Sequence, residues 1–244
     1  MKPFLLLATR PEDDAAREEL EGFLRAGELP DDGIHQIRVD RRSLPAIDLD
    51  DYSGVLLGGG PFNSSDPQDE KPAEQLRFEA EVAPLLDEMV DRDFPFLGAC
   101  LGIGVLGTHL GGLIDRTYSE EPSVVNVALT DEGRRDPLFE GISPVFEAIV
   151  GHKEACSRLP EGAVLLATAS ACPVQAFRFK TNLYVTQFHP ELDIDSVVNR
   201  VTVYRDAGYF PSEEYDRVVA AFHASNPEEP ALVMRNFVRR YART

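Results

Sequence analysis

Short apolar runs alternating with helical stretches through the first hundred residues constrain this chain more than any other feature. PFLLLAT (3–9) and FPFLGAC (94–100) are apolar almost throughout, IHQIRV (34–39) alternates like a half-buried strand, and YSGVLLGGG (52–60) runs into three glycines. PEDDAAREELEGFLRAG (11–27) places Pro11 at a helix start, acids in the first turn and Gly27 at the end. A longer helix is predicted over 72–91, burying a face of Leu76, Ala80, Ala83 and Leu86. Strand and helix in this rhythm predict an α/β architecture whose largely parallel central sheet is covered on both faces.

The second half is richer in strands. SVVNVAL (123–129), PVFEAIV (144–150), AVLLATA (163–169), PVQAFRF (173–179) and LYVTQF (183–188) each have strand length, and KTN (180–182) reads as a hairpin turn. After Glu191 the pattern turns helical over about 195–206, 213–224 and 230–241, punctuated by Pro211, Pro227 and Pro230. The expected organisation is a core domain over 1–192 and a C-terminal helical extension over 193–244. That extension is expected to pack on the core or to carry a homo-oligomer contact.

Charge excludes several functions. Lys and Arg number 24 against 42 Asp and Glu, a formal net charge of −18, so the chain is not expected to bind nucleic acid or an anionic membrane. No apolar run reaches the ~18 residues of a membrane span. The opening MKPFLLLATRPEDD lacks a small-residue cleavage site and runs straight into an acidic helical pattern, so the protein is expected to be cytoplasmic. Cys100, Cys156 and Cys172 cannot all pair and show no metal-ligand spacing, so no metal site is expected. Cys156 and Cys172 read as small core residues, and the acids at 12–21 as a solvated helix face.

Cys100 stands apart. It lies just past a buried strand with Gly98 two residues before it and Gly102 two after, the small neighbours that a nucleophile on a tight strand-to-helix turn requires. Helix N–H groups aimed at the sulfur would favour the thiolate and hold an oxyanion. On Gly-Ala-Cys-Leu-Gly alone, a buried structural cysteine fits equally well. Gly102, Gly104 and Gly107 also spell G-x-G-x-x-G, but the strand and acidic residue that a dinucleotide site needs do not follow. His189 and Glu191, delivered by the strand LYVTQF on either side of Pro190, have the parts of an oriented general base. The glycines at 58–60 let main-chain N–H groups approach a ligand, and no P-loop lysine accompanies them.

GGGP (58–61), GACLG (98–102) and QFHPE (187–191), in that order and with LGTHLGG (106–112) after the cysteine, resemble the class I (triad) glutamine amidotransferase family over residues 1–192. The chain is similar to the glutaminase domain of GMP synthase. The resemblance implies a three-layer, flavodoxin-like domain that hydrolyses the side-chain amide of glutamine and releases ammonia. It makes Cys100 the nucleophile, His189 its base and acid, and Glu191 the residue that orients the imidazole. It places the oxyanion hole at the N–H of Leu101 and the Gly59–Gly60 segment, and puts Gly98, Gly102, Gly104 and His152 on the substrate side.

The family pattern C-x-G-x-Q carries a glutamine that helps hold the substrate's amino-acid end, where this chain has Gly104. His152, in IVGHKEA (149–155), stands where relatives often have a histidine near substrate or partner, although the residue by itself reads as a solvated loop histidine. No cofactor is implied. Residues 192–244 hold no glycine-rich phosphate loop, so a separate synthetase or acceptor subunit is expected to take the ammonia. Two alternatives remain open. A γ-glutamyl hydrolase-type cysteine amidase acting on a larger γ-glutamyl compound draws support from Gly104. A non-catalytic relative that binds a metabolite or partner is opposed by the filled triad positions.

Overall fold

All five residues of β1 (Phe4–Ala8) are buried, because the strand lies inside a sheet with a layer on each face. A computed structural model describes residues 1–244. From β1 the chain enters α1 (Asp13–Ala26) and returns as β2 (Ile34–Arg38). β3 (Val55–Leu57), α2 (Ala73–Arg92), β4 (Phe96–Ala99) and α3 (Leu101–His109) follow. Next come β5 (Leu113–Asp115), β6 (Glu120–Leu129), α4 (Asp131–Arg135), β7 (Val145–His152) and β8 (Ala155–Arg158). β9 (Val164–Thr168), β10 (Ala176–Phe179) and β11 (Leu183–Thr186) complete the strands, before α5 (Ile194–Val203), α6 (Tyr215–His223) and α7 (Ala231–Tyr241).

Nine strands form one sheet in the order β2-β1-β3-β4-β11-β10-β9-β6-β7. The five strands from β2 to β11 run parallel, and β10, β9, β6 and β7 add an antiparallel wing. β5 and β8 pair separately. With helices on both faces this is the flavodoxin-like fold that the sequence leads one to expect. No helix is long and apolar enough to cross a membrane.

Strand alternation assigns side chains to two cores. Leu5, Leu7, Val55 and Leu57 meet Phe78, Val82, Leu86 and Met89 of α2. Phe4, Leu6, Leu56 and Leu97 meet Phe23 of α1 and Val233, Met234 and Phe237 of α7. A smaller cluster joins Ile149 to Leu192, Val197, Val201, Phe210, Val218 and Phe222. The buried face of α2 is rotated from the expected one: Phe78, Val82, Leu85 and Met89 are buried beside Leu86, whereas Leu76 and Ala83 are half-buried and Ala80 is exposed. Large side chains remove more apolar surface from water than alanine does, so they set the rotation.

Candidate active site

Parallel strands deliver their carboxyl ends to one edge of the sheet, where ligands of open α/β sheets bind. Four segments meet there: Thr9–Arg10 after β1, Gly58–Gly60 after β3, Cys100 after β4 and Gln187–Glu191 after β11. Cys100 has φ 55° and ψ −92°, unusual for a residue with a side chain, and stands at the N-cap of α3. Its N–H donates to the Thr186 carbonyl at 2.8 Å, which pins the turn to β11. The first N–H groups of α3, beginning with Leu101, have no intrahelical acceptor. Gly98 and Gly102 let β4 and α3 approach closely, since a Cβ on Gly98 would lie 2.8 Å from the Gly102 Cα.

His189 and Glu191 are buried, and the His189 Nδ1–H donates to Glu191 Oε1 at 2.7 Å. Burial alone would push the imidazole pKa down. The Glu191 carboxylate and Cys100 override that and hold it above the ordinary histidine value. Burial likewise opposes ionisation of Glu191, but His189 and then Arg200 keep it well below the usual carboxylate range. The two halves of the site meet across Gly59. A Cβ there would lie 2.9 Å from His189 Cε1, 2.8 Å from Arg10 Nη2 and 3.6 Å from Cys100 Cβ. Gly60 packs on Thr9, and Leu101 is buried beside it. The structure therefore brings Cys100, Leu101, His189, Glu191, Gly59 and Gly60 together.

Gly104 faces the same region from the first turn of α3, but the room above it is filled. A Cβ would lie 2.6 Å from Glu154 Oε1 and 2.8 Å from Ser64 Oγ. The Glu154 carboxylate also accepts the N–H groups of Ser64 and Ser65 at 2.8 and 2.7 Å, tying the β3–α2 loop to the β7–β8 turn. Gly107 packs on Ile114, so the three glycines of the G-x-G-x-x-G pattern serve helix packing. His152 is not a solvated loop residue. It ends β7, is buried, and has Nδ1 on the Glu154 carbonyl at 3.0 Å and Nε2 on Glu120 Oε2 at 2.9 Å. Both ring nitrogens thus face oxygen atoms of buried neighbours, which fixes the imidazole in place. Sequence periodicity missed this because β7 is longer than its apolar run.

Glu120, His152 and Cys172 bring one potential metal-ligand atom each within 4.8 Å. These groups are already satisfied by hydrogen bonds, with Gln175 Nε2 donating to Glu120 Oε2 at 2.8 Å. Burial, with Glu120 nearby, pushes the Cys172 thiol up to about 12, which disfavours a thiolate ligand.

Residues 33–197 match the family model described as glutamine amidotransferase class-I. The chain belongs to the class I glutamine amidotransferase family. The chain is 35% identical over 165 residues to the GMP synthase (glutamine-hydrolyzing) of Streptomyces avermitilis, an alignment covering 66% of this chain and 28% of that protein. It is 30% identical over 143 residues to a glutamine-hydrolyzing GMP synthase subunit of Methanocaldococcus jannaschii, covering 58% of this chain and 66% of that one. The chain thus spans less than two-thirds of either relative's length. A glutamine amidotransferase from Thermotoga maritima of known crystal structure shares the fold, with a TM-score of 0.76 over the whole of both chains at 20% identity.

Several residues at the candidate site escape a reading of motifs. Arg10 Nε pairs with Glu19 at 2.9 Å, and Arg200 Nη1 with Glu191 at 3.2 Å, all four side chains at most 10% exposed. Glu19 thus corrects the expectation of a solvated acidic face over 12–21. Its signal was positional: it shares the inner face of α1 with Ala15, Ala16, Gly22 and Phe23, as Arg200 shares that of α5 with Val197 and Val201. From beyond α5, Tyr204, Tyr209 and Phe210 line a cavity of about 50 Å³ with Cys100 and His189.

Proposed function

We propose that this chain is a glutaminase of the GMP synthase type, in which Cys100, His189 and Glu191 form the catalytic triad. One observation carries the reading. A cysteine forced to positive φ at a helix N-terminus meets, across Gly59, a histidine whose Nδ1–H is held by a buried carboxylate at 2.7 Å. With Nδ1 donating to Glu191, Nε2 is left to take and return a proton.

In this reading the Cys100 thiolate attacks the side-chain amide carbon of glutamine, and the oxyanion is held by the Leu101 N–H and an N–H of the Gly59–Gly60 segment. His189 protonates the departing ammonia. It then takes a proton from the water that hydrolyses the glutamyl thioester, releasing glutamate and restoring the thiol–imidazole pair. Relatives named as one subunit of a glutamine-hydrolyzing GMP synthase support a separate synthetase subunit as the acceptor of ammonia. The occupied space over Gly104 makes Glu154 and Ser64 the groups nearest to where the family glutamine would stand.

The test is intact-mass spectrometry after exposure to a diazo-ketone analogue of glutamine, alongside ammonia release from glutamine. One adduct on the native chain, none on Cys100→Ala, and ammonia release that Cys100→Ala abolishes are expected. A native chain that takes up iodoacetamide at Cys100 but neither reacts with the analogue nor releases ammonia would overturn the glutaminase reading.

A further inference from the structure

Glu191 Oε1 receives two donors, His189 Nδ1–H at 2.7 Å and Arg200 Nη1–H at 3.2 Å. Arg200 comes from α5, in the segment that follows the triad motif, and its side chain is only 10% exposed. Glu191 Oε2 and Arg200 Nη2 are buried without a hydrogen-bond partner, so the directed contact between the two groups runs through Nη1 and Oε1. Gly22 of α1 backs the Glu191 main chain, with a Cβ position 2.8 Å from its carbonyl oxygen.

A buried carboxylate survives as an anion only beside a compensating charge. His189 supplies that charge only while protonated, and the proposed reaction requires it to give its proton up and recover it. During the neutral phase another cation must hold Glu191. A guanidinium stays charged throughout.

We propose that Arg200 is a positioning residue for the candidate triad, keeping Glu191 ionised and aimed at His189 when the imidazole is neutral. The inference rests on the triad reading above. Five other charged groups bear on Glu191. His189 faces it from its own segment. Glu19 faces it from α1 and is neutralised by Arg10 from the end of β1, while Arg25 and Asp193 pair at 2.8 Å on the outer rim. Arg10 is already committed to Glu19, so Arg200 is the guanidinium assigned to Glu191. α5, which follows residue 192, is thereby part of the proposed active centre.

The experiment compares pH profiles of kcat/KM for wild type, Arg200→Met and Arg200→Lys. The methionine variant is expected to lose about tenfold to a hundredfold in kcat, with KM within about threefold. Its acid limb is expected to move up by one pH unit or more as Glu191 takes a proton, since an opposite charge at this range shifts a carboxylate by about 1–3 units. Arg200→Lys should return the limb most of the way. An unmoved limb in Arg200→Met, or a lysine variant indistinguishable from it, overturns the proposal. If Arg200→Met does not fold, Arg200→Gln, also neutral, carries the same comparison and is decided by the same two results. The profile is read in parallel on Cys100 alkylation by iodoacetamide, which needs no substrate. Loss of the glutaminase reading would therefore show as absent turnover with the alkylation difference intact.

Discussion

Glu154 holds the space that a side chain at position 104 would need: a Cβ on Gly104 would stand 2.6 Å from its Oε1. Two main-chain N–H groups, of Ser64 and Ser65, fix that carboxylate, so it cannot simply swing aside. Gly104→Ala is expected to destabilise the fold by about 1–3 kcal/mol through overpacking. In Glu154→Ala the same substitution should cost much less. Denaturant unfolding of the two single variants and the double variant measures the coupling, and equal costs in both backgrounds would contradict the contact.

Cys100 stores backbone strain. At φ 55° and ψ −92° it occupies a region that costs a residue with a Cβ about 1–3 kcal/mol. Glycine adopts such angles freely but has more unfolded freedom to lose, about 0.4–1 kcal/mol. Cys100→Gly is therefore expected to unfold roughly 1 kcal/mol less readily than Cys100→Ala, or about 2–4 °C higher, with both inactive. Equal melting temperatures would remove the strain from the account.

The His189–Glu191 pair makes stability depend on pH in two directions. The imidazole is held at about 9 in the fold against an ordinary 6.5, so its contribution is full below 6.5 and is lost as pH rises towards 9. Glu191 is held at about 2 against 4.5, so its contribution is full above 4.5 and is lost as pH falls towards 2. Melting temperature should therefore decline from pH 6.5 to 9 in the native chain. The decline should be shallower in His189→Asn, by up to about 1.4 kcal/mol per pH unit. Parallel slopes would show that other groups dominate.

Phe237 binds α7 into the core beneath the sheet, fully buried and with its ring 5.8 Å from Phe4 and 4.8 Å from Tyr241. Phe237→Ala is expected to cost about 3–5 kcal/mol, a fall of roughly 10 °C in melting temperature. Val203→Ala, at a half-exposed position of the same C-terminal segment, should change stability by about 0.5 kcal/mol or less. Comparable small losses for both would mean that the core does not depend on these helices.

Sequence alone determined what is local or ordered along the chain. The apolar runs around Leu5, Val55 and Leu97, the helix punctuation at Gly27 and the three motifs at Gly59, Cys100 and His189 are legible because each depends on neighbours only a few residues away. Which face α2 buries, how Glu19 and Arg200 come to be buried, and why position 104 is glycine were decided by packing. Glu154 meets Gly104, and Arg200 meets Glu191, only after α3, β7 and α5 dock on the sheet, and a charged residue on a helix's inner face reveals its partner only then. Strand order has the same cause. The long crossover that lays β11 beside β4 carries His189 to Cys100, and that pairing depends on burying both faces of the sheet at once rather than on any segment's own preference.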